Sequence, residues 1–227
     1  MRNIYFFCVI ASLLFGNYEY MFPNDTLLKV AVFCSADDKA SEQFKTIAYN
    51  LGKQLGLHNC GLITGGSRTG LMKEVVDGYV STAQCFDNLY GVMPQILEHY
   101  NVHHHAIPQE NLKWVETLHT RLALFHELSD IVVVLPGGFG TLHELMDFIV
   151  HNQFDLDKKQ IILINPQNYW DHLLLQFKVM VEHNLVSSRH LAHIVIVTSE
   201  HECIEKLLSQ EVCSQEYGLA SYYWEHS

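Results

Sequence analysis

Basic residues are scarce in this chain of 227 residues. Its 14 lysines and arginines stand against 25 aspartates and glutamates, which gives a formal net charge of -11 at pH 7. A surface with that balance repels the phosphate backbone of nucleic acids and the anionic headgroups of membranes. We therefore expect neither nucleic acid nor membrane as a partner. Any phosphate-bearing ligand must be held locally, by loops.

Metal-binding and disulfide motifs are also missing. The six cysteines form no C-x-x-C pair, and the 15 histidines include no H-E-x-x-H motif. Three histidines run consecutively from His103 to His105, in a segment that we predict to be a strand, where neighbouring side chains point to opposite faces. The sequence therefore predicts no metal site and no disulfide framework. Scattered, reduced thiols favour a cytoplasmic location.

The N-terminal segment differs from the rest of the chain. An apolar run from Ile4 to Phe15 follows Arg2; it is too short to span a bilayer and resembles the core of a signal peptide. A secretory signal, an upstream extension and a short appended helix all remain open. We predict an N-terminal extension over 1–26, one catalytic domain over 27–210 and a C-terminal tail over 211–227.

Strand-like and helix-like patterns alternate through the predicted domain. Helical spacing of apolar residues separates short apolar runs, and Trp114 to Leu128 is predicted as one such helix. This alternation predicts an α/β fold: a single domain with a Rossmann-like parallel sheet of about seven strands and helices on both faces. The predicted strands are Leu28–Cys34, Gly61–Thr64, Leu89–Met93, a short one around His105–Ile107, Ile131–Leu135, Ile161–Ile164 and Ile194–Val197.

Two glycine-rich loops follow predicted strands and precede predicted helices. One is Pro136-Gly137-Gly138-Phe139-Gly140-Thr141, and the other runs from Gly65 to Gly70. Glycine lets the backbone approach an anion closely, and the free N–H groups of a helix start favour negative charge. A P-loop motif with its lysine is absent. The loops therefore predict a phosphate-bearing ligand at the carboxyl ends of the strands.

Arg121 and Glu144 are the charged residues best placed to act in such a site. Arg121 is one of only four arginines and lies on the helix before the strand that leads into the Pro136 loop. Its guanidinium suits phosphate or hydroxyl recognition, although a solvated helix charge is the alternative. Glu144 also fits a capping box with Thr141, in which the acid only ties back the first helical turn.

These motifs together resemble the LOG family. The resemblance rests on Leu118-His119-Thr120-Arg121 and Pro136-Gly137-Gly138-Phe139-Gly140-Thr141-x-x-Glu144, with Gly65-Gly66-Ser67-x-x-Gly70-Leu71-Met72 and Gly91-Val92-Met93-Pro94 upstream. The family comprises nucleoside 5′-monophosphate phosphoribohydrolases, including the cytokinin-activating enzymes, which were long labelled lysine-decarboxylase-like. The P-G-G-x-G-T-x-x-E element is highly specific.

The resemblance implies an enzyme that hydrolyses the N-glycosidic bond of AMP or an N6-modified AMP of the cytokinin type, releasing free base and ribose 5-phosphate. It implies a homodimer and no cofactor. Arg121 and Glu144 would be the catalytic pair. The substrate-binding residues would come from both loops and their neighbours: Ser35, Gly65, Gly66, Ser67, Gly70, His119, Gly137, Gly138, Gly140 and Thr141.

The chain departs from the family pattern at several positions. Leu122 stands where the family commonly has a lysine, and Ser67 and Lys73 stand where it has glycines. These changes concern the pocket around the predicted pair and therefore substrate choice. The alternative function is a non-catalytic nucleotide or molybdenum-cofactor carrier, since relatives of this fold bind that cofactor.

Overall fold

The computed structural model describes residues 27–156 and 158–209. They form a single α/β domain around one parallel sheet of seven strands, as the sequence predicts, and the strand order is β4-β3-β2-β1-β5-β6-β7. The strands are β1 Lys29–Phe33, β2 Gly61–Thr64, β3 Leu89–Pro94, β4 Leu112–Val115, β5 Ile131–Val134, β6 Gln160–Ile164 and β7 Ile194–Val197.

Within the described ranges, six α-helices cover the two faces of this sheet. They are α1 Glu42–Leu57, α2 Gly70–Val80, α3 Leu118–Leu128, α4 Phe139–Gln153, α5 Asp171–Glu182 and α6 Glu200–Leu208. Helices α1, α2 and α6 pack on one face, and α3, α4 and α5 pack on the other. Alternate residues of β1 serve the two cores: Val30 and Val32 face the first, Ala31 and Phe33 the second. A strand buried on both faces explains why β1 is apolar throughout.

Helices α1 and α2 touch through their backbones. A Cβ added to Gly52 would lie 1.9 Å from the carbonyl oxygen of Val75, and one added to Gly78 would lie 1.9 Å from that of Tyr49. Only glycine fits at such a crossing. This close contact fixes α2 against α1, and with α2 the loop from Gly65 to Gly70 that precedes it.

The strand order reverses between β1 and β5. From β1 the chain builds outward through β2, β3 and β4, then returns to pair β5 with the other edge of β1. The loops after β1 and β5 therefore diverge to opposite faces and leave a crevice between them. In open α/β sheets this reversal is where ligands bind.

The region between β3 and α3 differs from the sequence prediction. The strand predicted around His105–Ile107 is wrong: β4 lies at Leu112–Val115, and His103 makes only an isolated bridge to Ser67. The helix predicted from Trp114 is also too long, because Trp114 pairs with Met93 in the sheet. Helix α3 begins at Leu118, where the Thr117 hydroxyl accepts a hydrogen bond of 3.0 Å from the Thr120 amide.

The predicted N-terminal extension over 1–26 and the tail over 211–227 lie outside the described residues. Among the residues described, no helix is both long and apolar enough to cross a membrane.

Candidate active site

The ends of β1, β2 and β5 meet at the crevice. Ser35, just after β1, donates a backbone hydrogen bond of 3.1 Å to the carbonyl oxygen of Pro136, and its own carbonyl accepts one of 3.2 Å from the Met72 amide. Ser35 therefore connects the loop after β5 to the first turn of α2. These bonds bring the two predicted glycine loops to one site.

The loop after β5 presents an open helix start. Gly138 is the N-cap of α4, and the first helical hydrogen bond runs from the Leu142 amide to the Gly138 carbonyl over 3.0 Å. Because Gly138 has no side chain, it cannot cap the N–H groups of this turn. A Cβ added to Gly138 or Gly140 would meet nothing within 4 Å. The free N–H groups of this first turn can therefore approach an anion.

Gly137 is required for a different reason. A Cβ there would lie 2.0 Å from Oγ1 of Thr141, a buried residue in the first turn of α4. The Thr141 side chain thus fills the space beside Gly137. The Gly137 carbonyl oxygen accepts a hydrogen bond of 2.7 Å from the hydroxyl of Tyr169, which fixes the orientation of this peptide.

The loop after β2 depends on two residues with left-handed backbone. Gly66 has φ of +79° and Gly70 has φ of +62°. A Cβ on Gly70 would lie 2.4 Å from the carbonyl carbon of Ala36, and the Gly70 amide donates 2.8 Å to Oδ1 of Asp38. The loop is therefore tied to the segment after β1. Ser67 Oγ lies 2.9 Å from Thr69 Oγ1, so a side chain occupies this position where the family commonly has glycine.

Arg121 links three parts of the site. Its Nε donates 2.9 Å to the carbonyl oxygen of Val92 in β3, and its Nη1 donates 2.6 Å to Oε1 of Glu144. A Cβ added to Gly65 would lie 2.7 Å from Nη2 of Arg121, so the guanidinium packs against this glycine. The guanidinium carbon lies 4.9 Å from the centre of the Phe125 ring. The alternative of a solvated helix charge is therefore wrong, because the Arg121 side chain is 13% exposed and both its Nε and its Nη1 donate hydrogen bonds.

Glu144 is buried in the second turn of α4, with 2% of its surface exposed. One oxygen, Oε1, accepts from Arg121, whereas Oε2 is buried and has no hydrogen-bond partner among the described residues. The capping-box interpretation is wrong, because α4 begins at Phe139 and Glu144 lies too far along it to reach the N-cap. Burial raises the pKa of Glu144 above its ordinary value, and the Arg121 charge opposes that rise only in part.

The charge of Glu144 affects the thiol of Cys34, just after β1. Burial raises the pKa of the Cys34 thiol well above its ordinary range, and the carboxylate of Glu144 raises it further. A thiol so strongly held in its neutral form is a poor nucleophile. Cys34 is therefore a weaker candidate for the chemistry of this site than Glu144 and Arg121.

Most of the residues predicted for the site come together, and one remains at its margin. Ser35, both glycine loops, Arg121 and Glu144 surround the crevice, whereas His119 is exposed in the first turn of α3. Leu122, where the family has a lysine, is 6% exposed. Lys73 faces its own helix, where it forms ion pairs with Glu74 and Asp77.

Two residues that support the loops, Asp38 and Tyr169, are not among those predicted from the sequence. Asp38 accepts from the Gly70 amide, and Tyr169 binds the Gly137 carbonyl from beyond β6. A polar run after the first strand was the only signal for Asp38. Tyr169 had none, because it lies 32 residues from its partner in sequence.

The sequence of this chain matches a known protein family and several plant proteins. Residues 72–207, more than half of the chain, match the family model described as "possible lysine decarboxylase". A probable cytokinin riboside 5′-monophosphate phosphoribohydrolase of Oryza sativa subsp. japonica, LOGL2, is 32% identical over 79% of this chain and 71% of its own length. The cytokinin riboside 5′-monophosphate phosphoribohydrolase LOG4 of Arabidopsis thaliana is 29% identical over 85% and 89%.

Solved structures share the fold. A molybdenum cofactor binding protein of Rippkaea orientalis superposes with a TM-score of 0.62 at 22% identity, over 82% of this chain and 99% of its own. The molybdenum cofactor carrier protein of Chlamydomonas reinhardtii gives a TM-score of 0.60 at 18% identity, over 81% and 99%. At these sequence identities, the similarity shows a shared fold and nothing about function. The family model and the plant relatives do more: they show that this chain belongs to the LOG family.

Proposed function

We propose that this protein is a nucleoside 5′-monophosphate phosphoribohydrolase that cleaves the N-glycosidic bond of AMP or an N6-modified AMP. The observation that carries the proposal is the Arg121–Glu144 pair, whose second carboxylate oxygen is buried without a partner among the described residues. Leaving such an acceptor unpaired in a fold is costly. A bound group that donates a hydrogen bond to Oε2 would remove that cost.

The open start of α4 supplies the phosphate site in this proposal. Gly138 and Gly140 have free space where a Cβ would lie, and the first-turn N–H groups carry the positive end of the helix dipole. A 5′-phosphate bound there would place the ribose over the crevice floor. Because the surface is acidic overall, the local backbone donors must provide this attraction.

Glu144 would act on the ribose. Departure of the base builds positive charge on the sugar ring, and a buried carboxylate stabilises such charge far better than water does. Its free oxygen could also hold a ribose hydroxyl or orient the attacking water. Arg121 would keep Glu144 ionised and oriented through the bond to Oε1.

A homodimer forms part of the proposal. Phe139 at the start of α4 is 90% exposed, and Leu118 at the start of α3 is 51% exposed. Apolar side chains of this size are often covered by a second subunit. Sedimentation at low protein concentration tests this part, and a monomer under those conditions would contradict it.

The activity is tested with a panel of nucleoside monophosphates, measuring release of free base and of reducing sugar. We expect turnover of AMP or N6-modified AMP, and a fall in kcat of at least about a hundredfold in Glu144→Gln with nucleotide binding retained. The matched control is Glu182→Gln, at the exposed end of α5.

Binding without base release from any nucleotide would contradict the proposal. It would favour a carrier, as the names of the Rippkaea and Chlamydomonas proteins say of those proteins. Mass spectrometry of the co-purified ligand would then identify what is carried.

A further inference from the structure

Two histidines and an aspartate converge between α3 and α4, about one helical turn beyond the Arg121–Glu144 pair. His126 lies in the last turn of α3, while Asp147 and His151 lie four residues apart on α4, and so on the same face of that helix. His126 Nε2 is 2.8 Å from Asp147 Oδ2, and His151 Nδ1 is 3.5 Å from the same oxygen. One ligand atom from each residue lies within 4.8 Å of the other two.

We propose that this cluster, His126, Asp147 and His151, binds a divalent transition metal ion. Two imidazoles and one carboxylate suit Zn²⁺, Co²⁺ or Ni²⁺, whereas Mg²⁺ and Ca²⁺ prefer oxygen ligands throughout. In a tetrahedral site with bonds of about 2.0–2.2 Å, neighbouring ligand atoms are about 3.3 Å apart. The distances from Asp147 Oδ2 to His126 Nε2 and to His151 Nδ1, 2.8 and 3.5 Å, lie on either side of that spacing.

The surroundings orient both rings. The His126 imidazole is buried and stacks on Phe148, with ring centres 3.7 Å apart and planes at 14°. His151 Nδ1 lies 2.9 Å from the backbone carbonyl oxygen of Asp147. Since a carbonyl oxygen only accepts, Nδ1 carries the ring hydrogen in this contact. An ion bound at Nδ1, the nitrogen 3.5 Å from Asp147 Oδ2, would displace that hydrogen and take the place of the hydrogen bond.

The competing explanation is a simple hydrogen bond between α3 and α4. The position of His151 distinguishes this explanation from a metal site. His126 and Asp147 alone suffice to tie α3 to α4. The His151 ring lies 3.9 Å from the His126 ring, with its side chain 33% exposed, and Asp147 is 23% exposed. Solvent can therefore reach the cluster and complete the coordination of an ion. Without an ion, His151 bonds its own helix and packs against the His126 ring, whereas a metal ion makes it a ligand together with His126 and Asp147.

A bound ion would join the two helices that carry the candidate catalytic pair. Arg121 precedes His126 on α3, and Glu144 precedes Asp147 on α4. No common sequence motif predicts this cluster, because His126 is 21 residues from Asp147, a spacing outside such motifs. The cluster is independent of the proposed hydrolysis, so it can be tested on binding alone.

The test uses full-length protein without a histidine tag, treated with a chelator and then dialysed. Titration with Co²⁺, followed by its visible absorption, and with Zn²⁺, followed by calorimetry, should show one ion per chain. We expect at least about a hundredfold weaker binding in His151→Ala and Asp147→Asn, since removing even an indirect ligand contact costs about 10–100-fold. His172→Ala, an exposed histidine on α5, is the matched control and should bind as the parent does.

Thermal unfolding gives a second measurement. Zn²⁺ should raise the Tm of the parent and of His172→Ala, and should leave that of His151→Ala unchanged. Because His151 is partly exposed, its replacement should leave the metal-free fold intact, which far-UV circular dichroism checks. Equal affinity and stoichiometry in His151→Ala and the parent would place the ion elsewhere and overturn the proposal. So would the absence of binding by the parent.

Discussion

The hydroxyl of Tyr169 donates a hydrogen bond of 2.7 Å to the carbonyl oxygen of Gly137. In a trans peptide the C=O and N–H groups point in opposite directions, so this bond turns the Gly138 N–H away from Tyr169. Phe44 holds the Tyr169 ring in an edge-to-face contact, with ring centres 5.6 Å apart. A residue beyond β6 thus orients the loop that we propose to bind phosphate.

Tyr169→Phe should raise the KM for a nucleoside monophosphate by about 2–10-fold and change kcat much less, because one neutral hydrogen bond contributes about 0.5–1.5 kcal/mol. Steady-state kinetics measures both constants. Tyr100→Phe, at an exposed tyrosine, is the control. An unchanged KM in Tyr169→Phe would show that the bond does not orient the loop for the ligand.

Replacing either member of the Arg121–Glu144 pair should affect stability in different ways. Arg121→Ala leaves a buried carboxylate without its cation and should lower the free energy of unfolding by about 3–5 kcal/mol. Glu144→Gln keeps an oxygen that accepts from Arg121 while removing the buried charge, so its loss should be clearly smaller. Urea denaturation compares the two. Equal losses of unfolding free energy in the two variants would mean that Arg121 does not stabilise the buried Glu144 carboxylate.

The pH dependence of activity should follow Glu144. Because burial raises its pKa, the acid limb of kcat/KM should lie above pH 4.5, the ordinary value, if the ionised form is the active one. A raised pKa also means that the folded state holds this proton more tightly. The contribution to stability is therefore complete below pH 4.5 and is lost as pH rises through the folded pKa.

The matched comparison for that prediction is Glu144→Gln. The difference in unfolding free energy, parent minus Glu144→Gln, should fall as pH rises from 4.5. A constant difference over this range would show that Glu144 keeps its ordinary pKa in the fold.

Two glycines of one loop should respond differently to alanine. Gly137→Ala forces a Cβ against Thr141 and should destabilise the fold by about 1–3 kcal/mol. Gly140→Ala meets open space in the first turn of α4, so stability should be unchanged or rise by up to about 1 kcal/mol. If the phosphate approaches here, Gly140→Ala should nevertheless raise the KM for the nucleotide. Thermal unfolding and kinetics on both variants separate packing from ligand contact.

The sequence predicts the sheet well where strands are buried on both faces. β1, β2, β5, β6 and β7 are apolar runs between clear breaks, and their positions are confirmed to within one or two residues. β4 was missed because it is a four-residue edge strand with two partly exposed members, Lys113 and Trp114. The helical spacing of apolar residues from Leu118 onward extends by chance back to Trp114. Only the pairing of Trp114 with Met93 shows that Trp114 belongs to a strand.

The sequence indicates where the candidate site lies, but not the contacts between its residues. Glycine loops at strand ends are a local signal, and so is an arginine just before one of them. The bond from Arg121 to Val92, and that from Tyr169 to Gly137, join residues 29 and 32 positions apart. Such contacts depend on how helices pack on the sheet, which no local pattern encodes.

The pairing of β1 with β5 has a consequence for how this site comes into being. It joins distant parts of the chain, and the Lys29 amide reaches the Asp130 carboxylate across 101 positions. Closing so long a loop is entropically costly and slow compared with local contacts. During synthesis Lys29 emerges 101 positions before Asp130, so the crevice exists only once β5 has docked beside β1. A ligand held across that junction would stabilise both halves against unfolding together.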